Sequence, residues 1–182
     1  MKQHVITSIR MTIVLLIIVS GIYPAAVWAV GQIAFHHQAN GSLVLRNGNV
    51  IGSEIIGQKF TSARYFHSRP SANDFDPRNS GGTNYGPTSK KLRDSIAAAV
   101  GHRANVPADE VTASASGVDP DISPANAYDQ AARVARANRM TEAAVRALID
   151  RHVEERFLGI YGEPRVNVLA LNLELLKVAE GH

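Results

Sequence analysis

The chain has 182 residues, of which 19 are Lys or Arg and 16 are Asp or Glu, and it contains no cysteine. Disulfide frameworks, thiolate metal sites and cysteine nucleophiles are therefore excluded, and 45% apolar residues suit a packed domain, not a disordered chain. Lys2 and Arg10 account for most of the basic excess and no acid precedes Glu54, so the rest of the chain is close to neutral and nucleic acid is excluded as a partner.

Residues 11–35 pass without a charge. As a helix rising about 1.5 Å per residue, that run reaches about 37 Å, more than the roughly 30 Å hydrocarbon core of a bilayer. Gly21 and Pro24 fall inside it, and both are tolerated in membrane spans. Lys2 and Arg10 precede the run, while the first charge after it is Arg46, which predicts a cytoplasmic N-terminus. The expected division is a cytoplasmic segment 1–10, a transmembrane helix 11–33 and an extracytoplasmic domain 34–182. A second reading stays open in the residues alone. Arg10, an apolar run and Val27-Trp28-Ala29 also fit a cleavable signal peptide, which would release a secreted binding protein or hydrolase.

Beyond the span, Asn47-Gly48 between short apolar runs predicts a hairpin, since both residues accept positive φ. Residues 61–89, rich in Pro, Gly, Asn and Ser, predict a long loop, and Tyr65, Phe66, Phe75 and Tyr85 argue that it packs onto something. Gly86-Pro87 marks a turn within it. Thr88 or Ser89 caps a predicted helix to about Val100, with Leu92, Ile96 and Val100 on one face. Residues 111–114 read as a short strand. Ser123-Pro124 is a helix start, a capping hydroxyl followed by proline, for a helix to about Asn138. Thr141 caps the next, with Val145, Leu148 and Ile149 at helical spacing. Gly159 and Gly162 mark a turn, and 166–172 read as a strand. This mixture predicts one α+β or α/β domain.

The motifs for chemistry are weak. Gly81 and Gly86 have the glycine spacing of a phosphate loop, but Pro87 and Thr88 stand where a lysine is required. Asp119-Pro120-Asp121 with Ser123 offers carboxylates to a hard cation, but acids just before a helix start serve equally as turn and cap groups, which is the preferred reading of Asp119, Ser123 and Pro124. The histidines lack helical metal-site spacing, and no Gly-x-Ser-x-Gly elbow is present. Glu163-Pro164-Arg165 reads either as a turn with a local ion pair or as a charged loop that meets a partner.

Taken in order, several stretches carry a family pattern: Gly57-Gln58-Lys59-Phe60, Tyr65-Phe66-His67-Ser68-Arg69-Pro70-Ser71-Ala72, Gly82-Thr83-Asn84-Tyr85-Gly86-Pro87-Thr88, Ala115-Ser116-Gly117-Val118-Asp119-Pro120-Asp121-Ile122-Ser123-Pro124 with Gln130 and Arg133-Val134-Ala135 behind it, and Gly162-Glu163-Pro164-Arg165-Val166-Asn167-Val168-Leu169 with Leu171-Asn172. Over essentially its whole length the chain resembles the KdpC subunits of bacterial potassium-transporting P-type ATPases. It departs from that pattern at Asp121, where many relatives have histidine or asparagine. The resemblance implies a non-catalytic accessory subunit with one N-terminal span in the cell inner membrane. Its partners would be a potassium-conducting subunit and an ATP-hydrolysing subunit, together with membrane lipid. It further implies support for assembly and for the pump's ATP affinity, with ATP and K+ handled by the complex and no cofactor held by this chain. Tyr65, Arg69, Asn84 and Tyr85, with Glu163, Arg165 and Asn167, are the candidate partner contacts.

Overall fold

The computed structural model describes residues 1–180, and the chain forms two compact units, Met1–Leu43 and Val44 onward. In the first, α1 (Lys2–Ile17), a π-helical turn (Ile18–Ile22) and α2 (Tyr23–Ala34) make one continuous helix of 33 residues with no residue buried, and an 18-residue stretch of it has a mean hydropathy of 2.4. The wide turn has a local cause. Pro24 has no N–H to give the Ser20 carbonyl, and its ring crowds that carbonyl; a shift to i→i+5 bonding carries the ladder past the defect. Phe35, at φ −135°, breaks the helix before the short α3 (His36–Ala39). Asn40 ties this neck back, donating to the His36 carbonyl (2.6 Å) and Gln32 Oε1 (3.2 Å).

The predicted hairpin forms from β1 (Leu43–Arg46) and β2 (Asn49–Ser53). Asn47 and Gly48 both take positive φ, 53° and 78°, as a type I′ turn requires. Ser89 caps α4 (Lys90–Val100), where Leu92, Ile96 and Val100 are half-buried on one face. The stretch read as a strand at 111–114 is instead the end of a single helical turn, α5 (Ala108–Val111), and irregular chain after it. Pro107 and the acids Asp109 and Glu110 favour that helix start over a strand.

The core is helical on a small sheet, so the domain is α+β. Strands β3 (Asp121–Ile122), β4 (Val153–Glu154) and β5 (Arg165–Asn167) form an antiparallel sheet in the order β3-β5-β4, with Val166 facing both Ile122 and Val153. Helix α6 (Pro124–Asn138) starts as predicted: the Ser123 hydroxyl accepts the Asn126 N–H at 3.1 Å. Helix α7 (Glu142–His152) is capped by Thr141 and buries Val145, Leu148 and Ile149. The predicted strand at 166–172 is only three residues long before α8 (Val168–Glu180). Asn167 Oδ1 accepts the Ala170 N–H and opens that helix, and Val168, Leu171, Asn172 and Leu175 are buried at helical spacing. Helix α7 lies against both α6 and α8, and all three contact β5.

The predicted long loop is real, and its polar backbone is satisfied by side chains. Phe66 is fully buried. Asn172 Oδ1 accepts its N–H (2.8 Å) and Asn172 Nδ2 donates to its carbonyl (2.9 Å). Gln130 repeats this at the next residue, accepting the His67 N–H (2.8 Å) and donating to the His67 carbonyl (3.0 Å). Arg133 Nη1 donates to the carbonyls of Ala63 and Tyr65, and Asn138 to that of Arg64. Residues 114–120 form the bed beneath the rest of the loop. Gly81 N–H donates to the Ser116 carbonyl (2.8 Å), and Gly57 N–H to that of Val118 (2.7 Å). A Cβ on Gly57 would sit 2.3 Å from the Asp119 carbonyl oxygen, so only glycine lets these segments meet.

Two predictions follow from these contacts. Asn172→Leu keeps the apolar shape but strands two buried backbone groups, each worth about 1–3 kcal/mol; the detergent-solubilised chain should melt roughly 5–15 °C lower, and a shift under about 2 °C would contradict the clamp. Asp109 accepts the N–H and hydroxyl of Ser123 (2.8 and 2.9 Å) and Asn126 Nδ2 (3.0 Å). Burial pushes this carboxyl up, but the three hydrogen bonds outweigh it and hold it below its usual range. A depressed carboxyl stabilises the fold above its unfolded pKa and loses that contribution as pH falls through the folded value. Asp109→Asn should therefore melt roughly 2–4 °C below the parent at pH 7, with the gap closing below about pH 4; a gap constant from pH 7 to pH 3 would contradict the account.

Candidate partner interface

Six of the seven nominated contacts line three shallow clefts that share residues. The first, about 350 Å³, is lined by Arg69, Asn84 and Tyr85 against residues 113–115. The second, about 360 Å³, runs between Arg69, Asp119 and Asp121 on one side and Glu163, Pro164 and Arg165 on the other. The third, about 470 Å³, adds Asn167 and Glu154 and shares Arg165 and Asp121 with the second. Tyr65 stands apart from these clefts. Its ring packs on Phe60 with centroids 5.7 Å apart, and its carbonyl accepts from Arg133, so it holds the loop.

Arg69 is placed by the loop clamp three residues before it. Its Nη1 donates to Asp119 Oδ2 at 3.2 Å, with both side chains less than a third exposed. Its Nε is buried and makes no hydrogen bond among the described residues. Asp119 Oδ1 accepts the Asp121 N–H (3.1 Å), an Asx turn, while its Oδ2 is the counter-ion of Arg69. Gly86 and Pro87 lie in the turn before α4, where the Gly86 carbonyl accepts the Ser89 N–H.

Arg165 is fixed by the sheet register. Glu154 lies directly opposite it on β4. Arg165 Nε and Nη2 reach Glu154 Oε2 at 3.0 and 2.9 Å, and Nε lies 3.4 Å from Asp121 Oδ2. Burial pushes the Asp121 carboxyl above its usual range, while Arg165 and the Asn167 amide (3.1 Å) pull it back and the acids beside it push it further up. Of the two readings of Glu163-Pro164-Arg165, the local ion pair between Glu163 and Arg165 does not form: Glu163 pairs with Arg156 at 2.5 Å. Asn167 spends its amide on the Glu54 carbonyl (2.8 Å), on Asp121 and on the start of α8, so its visible work is structural.

The clefts therefore combine arginine forks, carboxylates, an exposed tyrosine and backbone, a set suited to reading another protein's polar surface. Among the described residues no three His, Asp or Glu side chains gather as a metal site. Sequence reasoning missed Glu154, whose role depends on the β4–β5 register, and it placed Gln130 and Asn172 in the family pattern without giving their amides a role. A polar Asn within Leu171-Asn172-Leu173 was a signal for the latter, since on a helix it falls on the buried face.

Comparison with known proteins adds the identity of the scaffold. Residues 5–177 match the family described as KdpC, K+-transporting ATPase, c chain. The chain is similar to the potassium-transporting ATPase KdpC subunit of Koribacter versatilis, at 50% identity over 96% of this chain and 95% of that one. It is also similar to those of Allorhizobium ampelinum (52%, with 96% of each chain covered) and Caldanaerobacter subterraneus (42%, 100% and 99%). These similarities leave the secreted binding protein or hydrolase without support. The apolar helix of α1 and α2 fits a membrane-bound protein. The chain thus belongs to the KdpC family of potassium-transporting ATPase c chains, accessory subunits with no catalytic function of their own.

Proposed function

We propose that the chain is anchored by its long helix in the inner membrane, with residues 1–10 cytoplasmic and the α+β domain outside. There the domain docks through the Arg69–Arg165 face onto the potassium-conducting subunit of the pump. The observation that supports this reading is the convergence of residues from 69–85, 119–121 and 163–167 on connected clefts. The charge asymmetry of Lys2 and Arg10 before the span supports the orientation.

Docking would support assembly and, through the span, the ATP affinity of the P-type subunit, which makes nucleotide binding by this chain unnecessary. The glycines at 81–86 agree with that division of labour. Gly81 spends its N–H on the Ser116 carbonyl, and Pro87 has none to offer a phosphate.

Reversing charge at Arg69 and Arg165 (Arg69→Glu with Arg165→Glu) in the intact complex should lower co-purification of the other subunits and potassium-dependent ATPase activity at least about tenfold. The melting of the isolated full chain carrying Arg165→Glu alone should change by no more than a few degrees, since its pair with Glu154 is more than half exposed and such pairs contribute only about 0–1 kcal/mol. Unchanged co-purification and activity would contradict the interface. Protease added to intact spheroplasts should digest the α+β domain, and protection there with digestion from the cytosolic side would contradict the orientation.

A further inference from the structure

Between β4 and β5 the chain turns through Phe157-Leu158-Gly159-Ile160-Tyr161, and four apolar side chains of that turn face solvent. Phe157, Leu158, Ile160 and Tyr161 are 71%, 74%, 71% and 66% exposed. The turn is firmly closed. Phe157 N–H donates to the Tyr161 carbonyl (2.9 Å), Tyr161 N–H donates back (3.0 Å), and Gly159 N–H donates to the Arg156 carbonyl (2.9 Å). Leu158 is held at φ 53°, a region unfavourable for any residue with a Cβ. Arg156 and Glu163 brace the base of the turn with an ion pair at 2.5 Å. A rigid display of four apolar side chains adds nothing to the core, and such clusters mark contact sites.

We infer that this tip is an anchor that seats in an apolar pocket on another subunit of the pump. The inference rests on the assembly reading above and adds a surface which that reading does not use. Continuity favours a protein partner. Glu163 both braces the tip and lines the cleft shared by Arg69 and Arg165, so an apolar point lies beside a polar, charged rim, the anatomy of a protein interface. Charge disfavours lipid: the flanks carry Glu154, Glu155 and Glu163 against Arg156 and Arg165, with no lysine, whereas binding to an anionic membrane surface needs a basic excess. Preorganisation points the same way, since a hydrogen-bonded turn enters a formed pocket with little ordering left to lose.

The test uses the full chain and the full complex. Leu158→Ser with Ile160→Ser should leave the melting temperature of the full chain in detergent within about 2 °C of the parent, because both side chains are exposed. The same pair should lower recovery of the other subunits on a tag carried by this chain at least tenfold, while Leu158→Met with Ile160→Val retains it. That result supports the anchor whatever Arg69→Glu with Arg165→Glu does. Full recovery with the serine pair overturns it, even where the charge reversals abolish assembly, and the cleft reading then stands alone. Two further outcomes also overturn it. One is quenching of Tyr161→Trp, in a Trp28→Phe background, by brominated phosphatidylcholine vesicles holding this chain alone, which would make the tip a lipid contact. The other is self-association of the full chain that the serine pair dissolves, which would make the occupant a second copy.

Discussion

Two buried side-chain amides do for this domain what a neighbouring strand does for most. The chain between β2 and α4 is long and irregular, yet its Phe66 is completely buried, and a buried peptide group without partners would cost more than the phenyl ring gains. Asn172 on α8 and Gln130 on α6 each pair with both the N–H and the carbonyl of one residue, Phe66 and His67 in turn. Gln130 is itself held by Asn126 Oδ1 (2.8 Å) and by Arg133 (2.6 Å). The amides are thus members of a connected, satisfied network, the condition under which polar groups stabilise a core. The loop then leaves the clamp at a fixed angle, and Arg69 arrives beside Asp119.

The electrostatics of the face follow from where its backbone is pinned. Burial and neighbouring acids raise the Asp121 carboxyl, and Arg165 restrains the rise. Arg165 in turn bridges β3 and β4 through Asp121 and Glu154. Most ion pairs outside the clefts, such as Lys59 with Asp74 and Lys90 with Asp94, are largely exposed and contribute little to stability. The Arg69–Asp119 pair of the face differs from these, with both side chains less than a third exposed. The fold is held by the amide network and by the helices on β5.

What could be read in the residues was mostly local chemistry. Asn47-Gly48, Ser123-Pro124 and Thr141 each specify a turn or cap by themselves, and each forms as read. Val166-Asn167-Val168 misleads because three residues of genuine strand run straight into a helix, and only the Asn167 cap and the burial of 168, 171, 172 and 175 separate the two. The α5 turn was missed for a related reason: one helical turn carries too few residues for a periodicity. The interface residues were nominated by type and position in the chain, but their pairings depend on the β4–β5 register and on loop packing across more than 40 positions, which no local signal carries.

Amide hydrogen exchange at Phe66 and His67 tests the clamp most directly. In the parent chain both amides should exchange as slowly as Val166 N–H in β5, and combined Asn172→Ala and Gln130→Ala should speed them at least about a hundredfold, the scale expected when two hydrogen-bonded anchors are lost, while Val166 stays protected. Exchange of Phe66 and His67 in the parent chain at the rate of exposed loop amides such as Thr83 would contradict the account.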